Sequence, residues 1–343
     1  MKYLRISVLI LVVSVCTACS KKSDGGNGST DIAPTNITLT ADVSTDNSGN
    51  VNFTAGASNA VSFDYDFGNG IYQTVPSGVV TYKYPASGTY TVNVTAKSAS
   101  GKTISKSISV TVTVTLAIAW SDEFNVDGAP DASKWGYDLG AGGWGNNELE
   151  YYTSRTDNAI VSNGTLKIIA KKENYNGSAY TSARLTSYNK FSFKYGKLLI
   201  RAKLPAGAGT WPAIWTLGTD FATNTWPACG EMDIMEQTGA DKSRVLGTIH
   251  YPGHSGGNGD TGNTAVSNAT TDFHIYGLEW DATTIKISVD GVVYRNIANN
   301  SSMPFNHNFF IILNVAMGGN LGGTVDPNFT SGTMEIDYIR YYQ

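Results

Sequence analysis

Short runs in which apolar and polar residues alternate recur along this sequence, and they limit what the chain can fold into. Tyr90–Thr95 and Ile104–Val114 alternate in this way. The pairs Asn163-Gly164 and Asp290-Gly291 each separate two further apolar runs, a pattern typical of β-hairpins. Only 15% of the 343 residues are charged, and helical periodicity is absent over any long window. The alternation therefore predicts an all-β protein.

The first 19 residues have the pattern of a secretory signal peptide. Lys2 and Arg5 precede an apolar run, Ile6–Val15, that is much shorter than the roughly 20 residues needed to cross a bilayer. Two small residues stand before Cys19, and in this the segment resembles a bacterial lipoprotein signal. The resemblance implies that residues 1–19 are a signal peptide and that Cys19 is the site of lipidation.

Residues 20–32 are rich in Gly, Ser, Lys and Asp, so we expect a flexible linker. The lipoprotein interpretation predicts secretion across the inner membrane and attachment to the bacterial outer membrane or cell surface, with membrane contact only through the lipid. Plain secretion with cleavage nearby is the alternative. The net charge is −4 and the longest basic run in this region is Lys21-Lys22, so nothing indicates a nucleic-acid partner.

Residues 33–114 form the first predicted domain, an immunoglobulin-like β-sandwich. Tyr65–Gly70 resembles the W-D-F-G-D-G turn of PKD domains, with Tyr in place of Trp and Asn in place of the second Asp. Tyr84–Val92 resembles the Y-x-x-x-G-x-Y-x-V strand of the same family. The resemblance implies a spacer or a glycan-binding module without catalytic function.

Residues 117–343 form the second predicted domain, a large two-sheet sandwich or jelly roll. Its central feature is the segment Glu231–Glu236, in which three acids are interleaved with apolar residues. On a regular strand Glu231 and Asp233 share a face, but the next residue on that face is Met235. One additional residue, accommodated in a β-bulge, would return Glu236 to the face of the other two acids.

Three neighbouring carboxylates repel each other and raise each other's pKa values, which is costly unless the raised pKa is useful. Glycoside hydrolysis uses one ionised and one protonated carboxyl group, and retaining enzymes hold the two about 5 to 5.5 Å apart. The acids alone leave two other interpretations open, a solvated acidic face and a calcium site. Trp211, Trp215 and Trp226 precede the acids and could stack on sugar rings, although Trp is as often a core residue.

The motifs of the second domain together resemble glycoside hydrolase family 16, of the laminarinase type. Glu231–Glu236 matches the E-x-D-x-x-E signature of that family in its bulged form. Six other segments match in family order: Trp120–Phe124, Gly143–Tyr152, Ser182–Leu185, Trp211–Trp215, Thr248–Tyr251 and Ile336–Tyr342. The resemblance covers nearly all of residues 117–343 and implies a concanavalin-like β-jelly-roll sandwich with a glycan cleft.

The resemblance also implies a role for each acid. Glu231 is the expected nucleophile, Glu236 the expected acid/base, and Asp233 an auxiliary carboxylate that hydrogen-bonds the nucleophile. The expected substrate-binding residues are Asn146, Arg184, Trp211, Trp215, Trp226 and His250. For His250, the alternative is a histidine packed within its strand.

No cofactor is expected for catalysis, but members of the family often carry a structural calcium. Glu123 and Asp337 are the candidate ligands, and the alternative is that both are ordinary surface acids. Cys229 is the only cysteine beyond the N-terminal segment, so no intramolecular disulfide is expected. We expect a monomer.

The expected reaction is the retaining endo-hydrolysis of a β-1,3-glucan of the laminarin type, because Gly143–Tyr152 and Trp211–Trp215 favour laminarin over galactans. Mixed-linkage β-1,3-1,4-glucan and marine galactans are the alternatives within the family. Leu321 stands where many laminarinases carry Trp, which leaves the shape of one end of the cleft open. A glycan-binding lipoprotein is the non-enzyme alternative, but such proteins usually lose an acid, and all three acids are present here.

Overall fold

The structure is a computed structural model that describes residues 32–343. The predicted signal peptide, the predicted lipidation site Cys19 and nearly all of the predicted linker lie outside the described residues. The described chain divides into two compact units at the bond between Thr115 and Leu116, and each unit has a hydrophobic core of its own.

Seven strands build the first unit, and they form two antiparallel sheets. The strands are β1 (Thr35–Val43), β2 (Asn50–Ser58), β3 (Ser62–Asp66), β4 (Tyr72–Val75), β5 (Val79–Lys83), β6 (Gly88–Lys97) and β7 (Thr103–Val112). Three of them pair in the order β1-β2-β5 and four in the order β4-β3-β6-β7. Phe63 and Tyr65 of β3 are buried while Asp64 and Asp66 are half-buried, as the period of two along a strand requires. This confirms the immunoglobulin-like sandwich.

Seventeen strands build the second unit, and helical structure is confined to single turns in the part of the chain that the structure describes. The strands are β8 (Ile118–Asp122), β9 (Gly136–Asp138), β10 (Glu150–Tyr152), β11 (Ala159–Ser162), β12 (Thr165–Tyr175), β13 (Ser178–Ser182), β14 (Arg184–Thr186), β15 (Gly196–Lys203), β16 (Thr210–Gly218), β17 (Glu231–Glu236), β18 (Arg244–His250), β19 (Asp260–Ala265), β20 (His274–Trp280), β21 (Thr284–Val289), β22 (Val292–Ala298), β23 (Phe309–Met317) and β24 (Ser331–Tyr342). The single turns are the α-helix α1 (Gly319–Gly322) and two 3₁₀ turns, Gly143–Gly145 and Gly256–Asn258.

The strands of the second unit form two large sheets. Seven strands pair in the order β19-β18-β17-β16-β23-β14-β9. The other sheet has ten strands, with the main order β10-β13-β12-β24-β15-β20-β21-β22, while β11 pairs with β12 and β8 pairs with β24. The core contains alternate residues of strands from both sheets, so the all-β jelly-roll prediction is confirmed.

Two predicted hairpins are present, and the conformation of their turns explains the residues found there. Asn163 and Asp290 adopt left-handed φ values of 54° and 51°, and each is followed by a glycine that also has a positive φ. Turns of this kind match the twist of the paired strands and favour Asn-Gly and Asp-Gly. They join β11 to β12 and β21 to β22.

None of the helices in residues 32–343 is long and apolar enough to span a membrane.

Candidate active site

The predicted β-bulge lies in β17, which is paired with β16 on one side and β18 on the other. On the β16 side, Trp215 pairs with Asp233, whereas the preceding residue of β16 pairs with Met235, so Ile234 is skipped. On the β18 side, the pairing also skips from Asp233 to Glu236. Ile234 is therefore the additional residue, and the bulge prediction is confirmed.

The bulge separates the side chains of β17 onto two faces. Met232, Ile234 and Met235 are fully buried in the core of the second unit. Glu231 and Glu236 are half-buried, and Asp233 between them is 3% exposed. The acids thus lie on the face opposite the core, which a strictly alternating strand would not have achieved for Glu236.

The register of the seven-stranded sheet brings distant residues into rows across this face. Glu236 pairs with Ala213 of β16, Ala213 pairs with Asn314 of β23, and Asn314 pairs with Arg184 of β14. Residues paired in an antiparallel sheet project from the same face. The predicted sugar-binding Arg184 therefore belongs to the same row as Glu236, three strands away.

His250 is paired with Glu231 and contacts two of the acids. Its Nε2 atom lies 3.1 Å from Oδ2 of Asp233 and 3.7 Å from Oε1 of Glu231. Trp226 is 46% exposed, and its ring centroid lies 5.8 Å from that of His250. The structure therefore brings these two predicted binding residues to the acids, and the histidine is not merely packed within its strand.

The environment raises the pKa values of all three acids. Burial is the largest cause for Glu231, and the neighbouring charge of Asp233 adds to it. Burial and then the charge of Glu236 raise the pKa of Asp233. Burial also raises the pKa of Glu236, opposed by the hydrogen bond from Trp211. Such a cluster holds on to a proton at pH values where isolated carboxyl groups are ionised, and it titrates as a unit.

Trp211 holds the third acid directly. Its indole Nε1 donates a hydrogen bond of 2.9 Å to Oε1 of Glu236, and the residue is only 7% exposed. A buried Trp needs a hydrogen-bond acceptor for its N–H group, and here the acceptor is the carboxyl group of Glu236, which the bulge returns to the face of the other two acids. The sequence predicted Trp211 as a substrate-binding residue, and its contact in the structure is with Glu236.

Trp215 is held by a chain of hydrogen bonds that the sequence did not predict. Its Nε1 donates to Oδ1 of Asn314 at 2.8 Å, and Nδ2 of Asn314 donates to the hydroxyl of Tyr152 at 3.0 Å. The Tyr152 hydroxyl donates to Oε2 of Glu148 at 2.9 Å. One signal was available: Asn314 is the single polar residue in the apolar strand Phe309–Met317.

Arg184 lies between two aromatic rings. Its guanidinium carbon is 4.8 Å from the ring centroid of Trp215 and 4.7 Å from that of Trp144, distances at which cation–π attraction operates. Its Nε donates to Oδ2 of Asp138 at 2.9 Å. Trp144 and Asp138 were not among the predicted site residues, because their contact with Arg184 depends on how distant strands pair.

Asn146 is placed by the same group of residues. Its Nδ2 donates a hydrogen bond of 3.1 Å to Oε1 of Glu148, whose other oxygen accepts from Tyr152. The Glu148 carboxyl group therefore connects Asn146 to the hydrogen-bond chain that ends on Trp215. The predicted binding residues Asn146, Arg184 and Trp215 thus share one continuous set of contacts.

The calcium prediction for Glu123 and Asp337 fits its surroundings poorly. Glu123 accepts two hydrogen bonds from Arg340, and Asp337 is paired with Arg201. A cation would have to displace a guanidinium from each carboxylate. Within residues 32–343, the one cluster of three or more side chains placed to bind a metal is that of Glu231, Asp233 and His250. The structural calcium stays a prediction.

Cys229, two residues before the first acid, is fully buried. Burial raises the pKa of its thiol to about 11, so it remains protonated at neutral pH. A protonated thiol is a poor nucleophile.

The sequence matches two family models. The model of the glycosyl hydrolases family 16 matches residues 146–340, and the model of the PKD domain matches residues 36–114. The first match contains the whole acidic strand and most of the residues that surround it. The second coincides with the first unit described above.

Individual relatives resemble about two thirds of this chain. A β-glucanase from Rhodothermus marinus is 43% identical over 66% of this chain and 85% of its own length. A glucan endo-1,3-β-glucosidase A1 from Niallia circulans is 36% identical over 66% of this chain, which spans 38% of that protein. The crystal structure of a LamA variant from Zobellia galactanivorans with laminaritriose and laminaritetraose is 43% identical, covering 66% of this chain and 99% of that chain with a TM-score of 0.62.

Proposed function

Because the chain belongs to the glycosyl hydrolases family 16, we propose that its second unit is a retaining endo-hydrolase of β-1,3-glucan of the laminarin type. One observation carries the proposal: the bulge at Ile234 gathers Glu231, Asp233 and Glu236 on a single face of the sheet. Two carboxyl groups close to one glycosidic bond are what retaining hydrolysis requires.

Glu231 is the proposed nucleophile. Its carboxylate attacks the anomeric carbon while Glu236 donates a proton to the departing glycosidic oxygen, which forms a covalent glycosyl-enzyme and releases the first product. Glu236, now ionised, takes a proton from water, and the resulting hydroxyl displaces Glu231. The raised pKa of Glu236 supports its role as the acid, because the group must still be protonated at the pH of reaction.

Asp233 and His250 are proposed to control the protonation of the nucleophile. Asp233 lies between the two reacting acids in the strand, and its charge raises the pKa of Glu231. His250 lowers the pKa of the same group, because positive charge on a ring nitrogen 3.7 Å away favours the carboxylate when the ring is protonated. Burial is the largest cause of the raised pKa of Glu231, and the two neighbours modify it in opposite directions.

The aromatic and polar side chains around the acids are proposed to bind the glucan. Trp226 offers an exposed indole face, on which the apolar face of a sugar ring can stack. Arg184, Asn146 and His250 offer donors to sugar hydroxyl groups, and Trp215 is fixed by Asn314. The oligosaccharides bound to the Zobellia galactanivorans relative, laminaritriose and laminaritetraose, support a β-1,3-glucan as the ligand here.

Release of reducing sugar from laminarin, lichenan, agarose and carrageenan tests the proposed substrate. We expect the highest kcat/KM on laminarin, since the relatives named above act on or bind glucans. Higher activity on agarose or carrageenan would replace the glucan with a galactan, and preference for lichenan would indicate mixed-linkage glucan. Proton NMR of the new reducing end should detect the β-anomer first, and an initial α-anomer would contradict Glu231 as nucleophile.

The Glu231→Gln variant separates an enzyme from a glycan-binding protein. Removing the nucleophile should abolish turnover of laminarin, while affinity for laminaritetraose, measured by calorimetry, should stay within a few-fold of wild type. Turnover equal to that of wild type would show that the acids do not act as proposed. Wild-type protein that binds laminaritetraose without cleaving it would favour the non-catalytic alternative.

We further propose that Cys19 carries a lipid that anchors the protein to the outer membrane or cell surface. The short apolar run and the small residues before Cys19 support this proposal. Cells that express Cys19→Ser should release the protein from the membrane fraction, whereas cells that express Cys16→Ser should not. Equal retention of both variants would exclude the anchor at Cys19.

A further inference from the structure

The bulge in β17 leaves backbone groups of the sheet without regular partners. Ile234 has no register partner on either β16 or β18, although its side chain is fully buried. A buried carbonyl without a hydrogen bond is costly, so a bulge inside a core needs a donor from elsewhere.

The donor comes from the opposite sheet. The hydroxyl of Tyr294 donates a hydrogen bond of 3.3 Å to the carbonyl oxygen of Ile234. Tyr294 lies on β22 of the ten-stranded sheet, where it also occupies a bulge: Ile287 pairs with Arg295 and the next residue, Ser288, pairs with Val293. The residue skipped in each strand thus contacts the residue skipped in the other.

Gly247 leaves the space that this contact needs. It lies on β18 between Leu246 and Thr248, opposite the bulged part of β17. A Cβ atom on Gly247 would lie 2.6 Å from the Tyr294 hydroxyl oxygen and 2.9 Å from Cγ2 of Ile287. Close approach, rather than a left-handed backbone, therefore explains the glycine.

We propose that Tyr294 is a positioning residue, whose hydroxyl holds the β17 bulge in the conformation that directs Glu236 toward the leaving glycosidic oxygen. The inference rests on the proposed function, because it assumes that Glu236 is the general acid. Tyr294 contacts the carbonyl of Ile234, two residues before Glu236, from the core side of the sheet. Its hydroxyl is hydrogen-bonded to this carbonyl and not to the carboxyl group of Glu231, Asp233 or Glu236.

The phenol of Tyr294 remains protonated at neutral pH and can therefore donate a hydrogen bond. Burial raises its pKa well above the ordinary value, and the charges of Glu236 and Asp233 raise it further. A phenol that stays protonated can donate to the carbonyl whatever the ionisation of the acids. The hydrogen bond to Ile234 therefore needs no change in the protonation of Tyr294 near neutral pH.

The variant Tyr294→Phe removes only the hydroxyl, and two substrates reveal which step it affects. Laminarin has a poor leaving group and needs the general acid, whereas dinitrophenyl β-laminaribioside has a good leaving group and does not. We expect kcat on laminarin to fall roughly tenfold with KM within twofold, because small displacements of reacting groups are costly. We expect kcat/KM on the dinitrophenyl glycoside to stay within twofold of wild type.

Tyr276→Phe is the matched control. Tyr276 is fully buried in the same core, and its hydroxyl has no hydrogen-bond partner among the described residues. Its removal should leave kcat/KM on both substrates unchanged. If Tyr294→Phe behaves like Tyr276→Phe, or slows both substrates equally, the positioning role is overturned. Hydrolysis of both substrates by the wild type establishes the proposed function independently of this result.

A second pair of variants tests the contact without relying on one substitution. Gly247→Ala should reduce turnover of laminarin, because the added methyl group collides with the Tyr294 hydroxyl. In the Tyr294→Phe background the same substitution should cause a smaller further loss, since the colliding oxygen is gone. Additive losses in the double variant would show that the two residues act independently and would contradict the inference.

Discussion

The two units of this protein each contain a strand in which acids alternate with apolar residues, yet the acids meet opposite environments. In β3, Asp64 follows Phe63, accepts a hydrogen bond of 2.8 Å from Thr74 and forms an ion pair with Lys97. In β17, the three acids neighbour one another, and no lysine within residues 32–343 lies at ion-pair distance from them. The pKa of Asp64 is consequently lowered, whereas burial raises the pKa of Asp233.

An acid on a strand is informative about function only together with its neighbours. Asp64 is held by groups that stabilise its ionised form, which is the ordinary structural solution. The β17 acids are compensated only in part, by His250 and by the Trp211 N–H that donates to Glu236, and burial still raises their pKa values. Acids with raised pKa values cluster at functional sites, because a raised pKa is useful there.

The largest expected difference between the two strands is in catalysis. Glu236→Gln should lower kcat on laminarin by about 10²- to 10⁴-fold, since a general acid contributes that much. The matched substitution Asp64→Asn should leave kcat and KM unchanged. Both are measured by initial rates of reducing-sugar release. A comparable loss of kcat in the two variants would show that the environment of an acid does not distinguish a functional acid from a structural one.

The next difference is in the free energy of unfolding at neutral pH. An Asp→Asn substitution should raise it in β17 and lower it in β3. When folding raises the pKa of a carboxyl group, the free energy of unfolding decreases as the pH rises from the group's ordinary pKa through its pKa in the folded protein. Asp233→Asn should therefore raise the free energy of unfolding at neutral pH by about 1 kcal/mol, as other substitutions that relieve active-site cost do. Calorimetry of the full chain at pH 7 and at acid pH measures it.

Asp64→Asn is the control for that measurement. Its lowered pKa means that its contribution is present above the ordinary value of 3.8 and is lost as pH falls through the folded pKa. The substitution should destabilise the first unit slightly at neutral pH. If Asp233→Asn also destabilises the second unit at neutral pH, burial of the β17 acids does not lower its free energy of unfolding.

A smaller effect concerns the pH dependence of turnover. The Trp211 N–H lowers the pKa of Glu236, so Trp211→Phe should raise that pKa and keep the acid protonated to higher pH. The alkaline limb of the kcat/KM profile should then move to higher pH. In Trp226→Phe, whose indole has no hydrogen bond to the acids, the limb should not move. A shift to lower pH in Trp211→Phe would contradict the described contact.

The smallest effect is expected at the ion pair of the first unit. Lys97→Met should raise the pKa of Asp64 toward its ordinary value, because the lysine is the main cause of the lowered pKa. Exposed ion pairs contribute only about 0.2 to 1 kcal/mol to the free energy of unfolding, so the unfolding temperature of the first unit should change little. NMR titration of Asp64 measures the pKa. An unchanged pKa would show that Thr74 alone stabilises the carboxylate.

Several features of the site follow from the local sequence. The period of two along a strand placed Glu231 and Asp233 on one face. For Glu236 to lie on the same face, one additional residue was required between Asp233 and Glu236. The structure contains that residue, Ile234. The positions of Asn163 and Asp290 before glycine likewise fixed two hairpins, because turn conformation depends on a few adjacent residues.

Other features depend on which strands become neighbours. Arg184 joins the row of Glu236 only because β14, β23, β16 and β17 lie side by side, and that order is not visible in any local pattern. The support of Trp215 by Asn314 and Tyr152 has the same origin. The ion pairs of Glu123 with Arg340 and of Asp337 with Arg201 have the same origin, because each joins residues far apart in sequence.

The amino-acid sequence by itself determined the direction in which each side chain leaves its strand, and hence the all-β class and the face that carries the acids. Only the tertiary structure decided what each side chain meets, such as the lysine beside Asp64 or the tyrosine behind Ile234. The reason is physical: side-chain direction is set by the backbone of a few residues, whereas partners are set by the packing of whole sheets.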